Sequence, residues 1–164
     1  MPAATCAVQE RTAMIRLSTA AELAVRGVIV LAEHYGRGPM SLAAVCARRN
    51  LSKEYLNKLF AAMARAGIVV SIRGKGGGYV LARRPEDISV LQVIEAVEGP
   101  LAVNFCQHVP PRCDNRSCKV RPAWTDIQSF IHDRLDSLTL AGCHRGHGFR
   151  PPGRRNNGSA QSAS

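Results

Sequence analysis

Between residues 19 and 35 the apolar positions Ala21, Ala24, Val25, Val28, Ile29, Leu31 and Ala32 return at helical spacing, and Gly36 and Pro39 stop the run. This pattern predicts a buried first helix. A second helix opens at Ser41, whose hydroxyl suits an N-cap, carries Leu42, Val45 and Cys46 on its apolar side and ends at Asn50. Ser52 caps a third over residues 53–66, with Leu56, Leu59, Phe60 and Met63 facing inward and Gly67 as terminator. The pattern then changes: a β-branched run over residues 68–73, the glycine-rich GKGGG of residues 74–78 and a short apolar run over residues 79–82 predict a β-hairpin with a basic tip. Pro85, Glu86 and Asp87 make a turn, and Ser89-Val-Leu-Gln92 is a capping box opening a helix that ends at Gly99. Beyond a polar, proline-containing segment, Pro122 suits the first turn of a long helix in which Trp124, Ile127, Ile131, Leu135 and Leu138 fall at steps of three and four.

Two short helices joined by a brief turn read as a helix-turn-helix or as a generic helical hairpin. A basic-tipped β-hairpin directly after them decides for a winged helix, which places the third helix in the major groove and the tip near the backbone or minor groove. A nucleotide-binding reading of GKGGG fails, because Lys75 precedes Gly76 rather than Ser or Thr and no helix opens there. The expected fold is mainly α with a small β-hairpin: a winged helix-turn-helix domain over residues 15–84, then a connector helix, a cysteine loop and a long C-terminal dimerisation helix over residues 85–143. Residues 1–14 read as a flexible N-terminal extension in which Cys6 is incidental, and residues 144–164 as a disordered basic tail. The stripe on the long helix needs a partner surface, either a second copy of the same helix or the chain's own first helix.

Charge sharpens this picture. The net charge of +10 is concentrated, with nine basic residues against one acidic over residues 40–84 and five against eight over residues 85–143. A basic block on the helix-turn-helix and wing, followed by an acidic stretch, fits a polyanion-binding face joined to a part that need not touch the polyanion. The longest apolar run, residues 23–35, is broken by Arg26 and Glu33 and is too short to span a bilayer, and no secretory signal is evident, so a cytoplasmic location is expected.

Candidate chemistry lies in FCQHVPPRCDNRSC, residues 105–118. Cys106, Cys113 and Cys118 are separated by six and then four intervening residues, so half of the chain's six cysteines fall in one polar loop. Cysteines serving as small hydrophobes would be scattered over apolar faces, as Cys46 is. A reducing compartment disfavours a disulfide, and neither spacing matches a paired zinc knuckle. On spacing alone an iron-sulfur cluster, zinc and plain thiols all stay open. No nucleophile–base–acid arrangement points to an enzyme, and a small zinc or redox thiol protein remains the alternative, though it leaves the basic block unexplained.

With RLSTAAELAV, LSKEYLNKLF, RGKGGGY, ISVLQVIEAVEG and the triad ending in CKVRPAW in this order, the chain resembles the IscR/NsrR family of bacterial winged-helix transcriptional regulators over about residues 15–143. The resemblance implies a homodimer on a double-stranded DNA operator, with a 2Fe-2S or 4Fe-4S cluster on Cys106, Cys113 and Cys118 that sets DNA affinity. Some members of that family take a fourth ligand from a histidine three residues after the last cysteine, where this chain has Arg121. Others use an acidic residue in the first helix of the partner subunit, and that position matches Glu22, which in this sequence also completes a capping box with Thr19. His108, Asp114 or solvent are the other fourth-ligand candidates. On the DNA side, Ser52, Glu54, Tyr55 and Asn57 are placed at the reading end of the third helix with Lys53 and Lys58 on phosphates, Tyr55 and Asn57 resembling family contact positions. Arg73 stands where the family puts a minor-groove contact, with Lys75 on a phosphate nearby.

Overall fold

A computed structural model of the chain describes residues 17–49, 52–115 and 117–144. The readings made for residues 1–14, for Asn50 as a helix end and for the tail from residue 145 lie outside the described residues.

Helix α1 (Thr19–Glu33) is the element on which most others pack, and its sequence explains why. Ala21, Ala24, Gly27, Val28, Val30 and Leu31 are all buried, and the small ones among them let neighbouring helices approach closely. At Gly27 an added Cβ would stand 3.0 Å from both Leu56 Cδ1 and Phe60 Cε2. The N-cap is Ser18, whose Oγ accepts from the Ala21 N–H at 3.2 Å, so Thr19 and Glu22 do not form the capping box that their spacing predicts. Glu22 instead pairs with Arg26 one turn on, at 2.6 Å.

Helices α2 (Leu42–Arg49) and α3 (Lys53–Arg65) follow, and Ser41 caps the first by accepting from the Ala44 N–H at 3.2 Å. Leu56, Leu59, Phe60 and Met63 form the inner face of α3, as the pattern predicts. Gly67, at φ 68°, turns the chain into β1 (Val69–Ile72), which pairs antiparallel with β2 (Gly78–Leu81) in the register Val69↔Leu81 to Ile72↔Gly78. The wing is tied back to the α1–α2 link: Tyr79 N–H donates to Met40 O at 2.8 Å and Met40 N–H to Tyr79 O at 3.1 Å. The Tyr79 ring stands edge-on to Phe60 with centroids 4.9 Å apart.

After a 3-10 turn at Pro85–Asp87, α4 (Val90–Glu98) opens with the expected capping box of Ser89 and Gln92. The main hydrophobic core runs without interruption across this junction, since Ile88, Val93 and Leu140 join Val28, Leu56, Phe60, Met63 and Ile68 in one cluster. Helix α5 (Arg121–Ser137) behaves differently and has no fully buried residue. Its apolar stripe is divided. Leu135 packs with Leu138 against a small second cluster of Ala21, Val90 and Ile94, whereas Ile127 and Phe130 are 42% and 60% exposed. Leu138, placed on the long helix by its spacing, caps it in extended conformation instead. Its carbonyl accepts from Val90 N–H at 2.7 Å, Leu140 N–H donates to Ile88 O at 3.0 Å, and a short α6 (Leu140–His144) then packs on α1. No helix among the described residues is long and apolar enough to cross a membrane.

Candidate nucleic-acid interface and cysteine loop

Because the inner face of α3 is fixed by four buried side chains, its other residues have no choice of direction. Lys53, Glu54, Tyr55, Asn57 and Lys58 are all exposed, together with Ser52 at the N-cap position. The Ser52 hydroxyl does not cap the backbone but donates to Glu54 Oε2 at 3.0 Å, holding that carboxylate at the first turn. An open groove of ≈ 340 Å³ between the starts of α2 and α3 is lined by Leu42, Lys53, Glu54 and Asn57. The wing tip turns through a Gly77 N–H bond to Gly74 O at 3.0 Å and leaves Arg73 and Lys75 exposed.

The structure also sorts the cations of the basic block. Arg49 is bound to Glu33 of α1. Arg83 donates to Asp87 O at 2.9 Å and to Gln92 Oε1 at 3.1 Å, and Arg84 grips the Asp87 carboxylate at 2.9 and 3.2 Å. That hydrogen bond from Arg84 holds the Asp87 carboxyl below its ordinary range. These three arginines serve the fold, which leaves Arg48 on α2, Lys53, Lys58 and Arg65 on α3, and Arg73 and Lys75 on the wing as outward charge, with Lys53 and Lys58 at the start of α3 and Arg73 and Lys75 at the wing tip. Such charges suit phosphate contacts, with the amide and carboxylate of Asn57 and Glu54 among the groups able to read base edges.

Residues 100–120 connect α4 to α5 and are held mainly by side chains. Gln128 of α5 clips the start of the segment, accepting from Val103 N–H at 2.8 Å and donating to Leu101 O at 2.6 Å. Asn104 Oδ1 accepts from Phe105 N–H at 2.6 Å and opens a 3-10 turn, Phe105–Gln107, that carries Cys106. The Val109–Pro110 peptide is cis. Farther on, Arg121 Nη2 donates to Asn115 O at 2.6 Å and Arg121 N–H to Cys118 O at 3.2 Å. At the position where the family resemblance implies a histidine ligand in some members, this chain has an arginine that organises the loop. Gln107, Thr125, Arg121 and Gln128 form a scaffold that spacing does not single out, because each bond joins residues whose proximity only the fold creates.

Cys106, Cys113 and Cys118 are half-buried and free, and none of the described cysteines is in a disulfide. Three reduced thiols on one loop are chemically the right donor set for a thiophilic iron-sulfur cluster. The single chain does not gather them, however: among the described residues no group of three His, Cys, Asp or Glu side chains could hold a metal ion. Glu22 is turned to Arg26 of its own helix, and His108 lies against the Phe105 ring at 6.1 Å. Cys46 is buried in the core, as expected, and burial pushes its thiol up, as it does that of half-buried Cys143 in the second cluster. Neither is poised as a thiolate.

Residues 17–144 match the family Rrf2, described as an iron-dependent transcriptional regulator. The transcriptional regulator IscR of Aliivibrio salmonicida is 35% identical over 127 residues, 77% of this chain and 75% of that one. IscR of Erwinia tasmaniensis is 34% identical over 127 residues, 77% of each chain. Among solved structures, CymR, the global cysteine regulator of B. subtilis, is similar at a TM-score of 0.70 and 33% identity, over 80% of this chain and 98% of that one. IscR of T. potens is similar at 0.65 and 36% identity, over 82% and 89%.

Proposed function

The chain belongs to the Rrf2 family of DNA-binding transcriptional regulators, and from that premise we propose that it is a cytoplasmic homodimer whose operator affinity is set by an iron-sulfur cluster on Cys106, Cys113 and Cys118. The observation that carries this reading is the placement of three free thiols on a loop stapled to the first turns of α5, the one long helix whose apolar stripe is left half-uncovered. A second copy laid along Trp124, Ile127, Phe130 and Ile131 would cover it. Dimerisation in that way presents two copies of α3 to successive major grooves, about 34–36 Å apart.

When bound, a 2Fe-2S or 4Fe-4S cluster supplies a centre that responds to oxidation, nitric oxide or iron-sulfur supply. The chain's own residues do the rest. Cys106, Cys113 and Cys118 hold it, and Glu22 of the partner subunit is the fourth donor, released from Arg26 for the purpose. A carboxylate is an easily displaced ligand, which suits a sensor. On DNA, Glu54, Tyr55 and Asn57 read bases, Ser52 orients Glu54, Lys53 and Lys58 lie on phosphates, and Arg73 enters a narrow minor groove beside a Lys75–phosphate contact. CymR shares the fold and is described as a cysteine regulator, so the fold alone does not choose the signal; the cysteine loop is what supports a cluster here.

Purification without oxygen tests the site. The parent is expected to be brown or red, Cys113→Ala to lose the visible absorbance and Glu22→Ala to change its spectrum. A colourless parent that stays colourless on reconstitution with ferrous iron and sulfide returns the zinc or thiol alternative. A parental spectrum in Glu22→Ala removes the carboxylate in favour of His108, Asp114 or solvent.

A further inference from the structure

Beside Cys106 the hydrogen-bond network can be followed donor by donor. Thr125 Oγ1 donates its one proton to Arg121 O at 3.1 Å, so toward any other partner it can only accept. Gln107 reaches it at 3.2 Å, and the amide must therefore present its nitrogen rather than its oxygen. That nitrogen carries two protons. The second points to Cys106 Sγ at 3.6 Å, a normal reach for the larger sulfur atom. The chain of bonds continues through Arg121, whose backbone carbonyl takes the Thr125 proton, whose N–H donates to Cys118 O at 3.2 Å and whose side chain donates to Asn115 O at 2.6 Å. One connected set of bonds thus runs from the first cysteine of the loop, through the first turn of α5, to the segment that carries the last.

We infer that Gln107 is a positioning residue: it fixes the Cys106 sulfur to the first turn of α5 before any cluster is bound, and it donates an N–H to that sulfur once one is. The inference deepens the cluster reading and rests on it only for its second half. Joining the loop to α5 lets a change at the cysteines be felt by the helix proposed to pair the two subunits, with no longer route required. An N–H donor at a ligating sulfur favours the more negative, reduced state of a cluster.

Two variants separate this from a merely structural role. Gln107→Met keeps the length and removes both donors, and Thr125→Val keeps the shape and removes the acceptor that orients the amide. In full-length apo protein, both are expected to speed amide hydrogen exchange around Cys106 and over the first turn of α5 by about 2- to 10-fold, the size of one lost hydrogen bond, while the β1–β2 hairpin exchanges as in the parent. In protein reconstituted with ferrous iron and sulfide, Gln107→Met is expected to have a lower midpoint reduction potential than the parent. Unchanged exchange in the apo variants, or an unchanged potential in the reconstituted one, would each overturn the inference. If the parent itself takes up no chromophore, the cluster reading fails, and the apo exchange still decides whether Gln107 positions the loop.

Discussion

The helix-turn-helix with its wing and the cysteine loop with α5 are built on opposite plans. In the first, every long apolar side chain on the inner face of α3 is buried, Phe60 is closed over by Tyr79, and the wing is pinned to Met40 by two backbone bonds. In the second, α5 buries nothing fully, the loop is held by amide, guanidinium and hydroxyl groups, and the cysteines are free. A reader of DNA must present its side chains in fixed geometry and gains from a rigid core. A sensor must exist in two arrangements, and a segment stabilised by a few half-exposed hydrogen bonds is cheap to rearrange. The incompleteness of the second region within one chain is what supports the proposed dimer.

The largest effect expected from this contrast is on stability. Phe60→Ala should cost about 3–5 kcal/mol through the cavity left between Gly27, Leu56 and Tyr79, whereas Phe130→Ala on exposed α5 should change the unfolding free energy of the monomer by less than about 0.5 kcal/mol and weaken self-association instead. Sedimentation at several concentrations alongside urea unfolding checks both, and equal destabilisation by the two variants would erase the distinction. Within the reader, Asn57→Ala should cost about 1–3 kcal/mol of discrimination at a single base position. A selection experiment with an unchanged sequence preference would remove Asn57 from base reading. Arg73→Lys should act more weakly, losing part of the affinity for A/T-rich flanks because lysine is the more strongly hydrated cation; binding by Arg73→Ala as tight as the parent's at several salt concentrations would leave the wing a purely structural role.

The smallest effect concerns the surface pair that shapes the turn before α4. Its hydrogen bond to Arg84 depresses the Asp87 carboxyl in the folded state, so the pair stabilises the protein above the ordinary carboxylate range and that contribution is lost as the pH falls through the depressed value. Both groups are exposed and screened by salt, so the gain is small. The difference in unfolding midpoint between the parent and Asp87→Asn should be measurable at neutral pH and low salt and should vanish in acid. A difference that persists in acid would assign it to something other than the charge.

Legibility in the sequence followed the same division. The three helices, the hairpin, and the Ser89–Gln92 capping box are local patterns, and local patterns survive into the structure because neighbouring residues alone decide them. Ser18 rather than Thr19 caps α1, and Ser52 gives its hydroxyl to Glu54, because two adjacent candidates compete for one backbone geometry and a side-chain acceptor lay within reach. Helix α5 stops at Ser137 although the apolar period continues through Leu138, since Leu138 and Leu140 are claimed by backbone bonds to Val90 and Ile88, about fifty residues earlier in the chain. Periodicity cannot see such a claim, nor the Gln107–Thr125 and Arg121–Asn115 bonds. The cysteine spacing marked the loop but not an assembled centre, and among the described residues no three donor side chains are gathered to hold a metal.

The central claim is that the cysteine loop controls the reader. Operator affinity should therefore be measured on one DNA fragment, without oxygen, for apo protein, for protein reconstituted with ferrous iron and sulfide, and for Cys113→Ala treated in the same way. Coupling of ordinary allosteric size predicts dissociation constants about 5- to 150-fold apart for the first two, with Cys113→Ala matching the apo form and with operator DNA altering chromophore stability by the same factor. Equal affinities in the presence of a full visible spectrum would contradict the account, leaving a cluster that the protein carries but does not use to govern DNA binding.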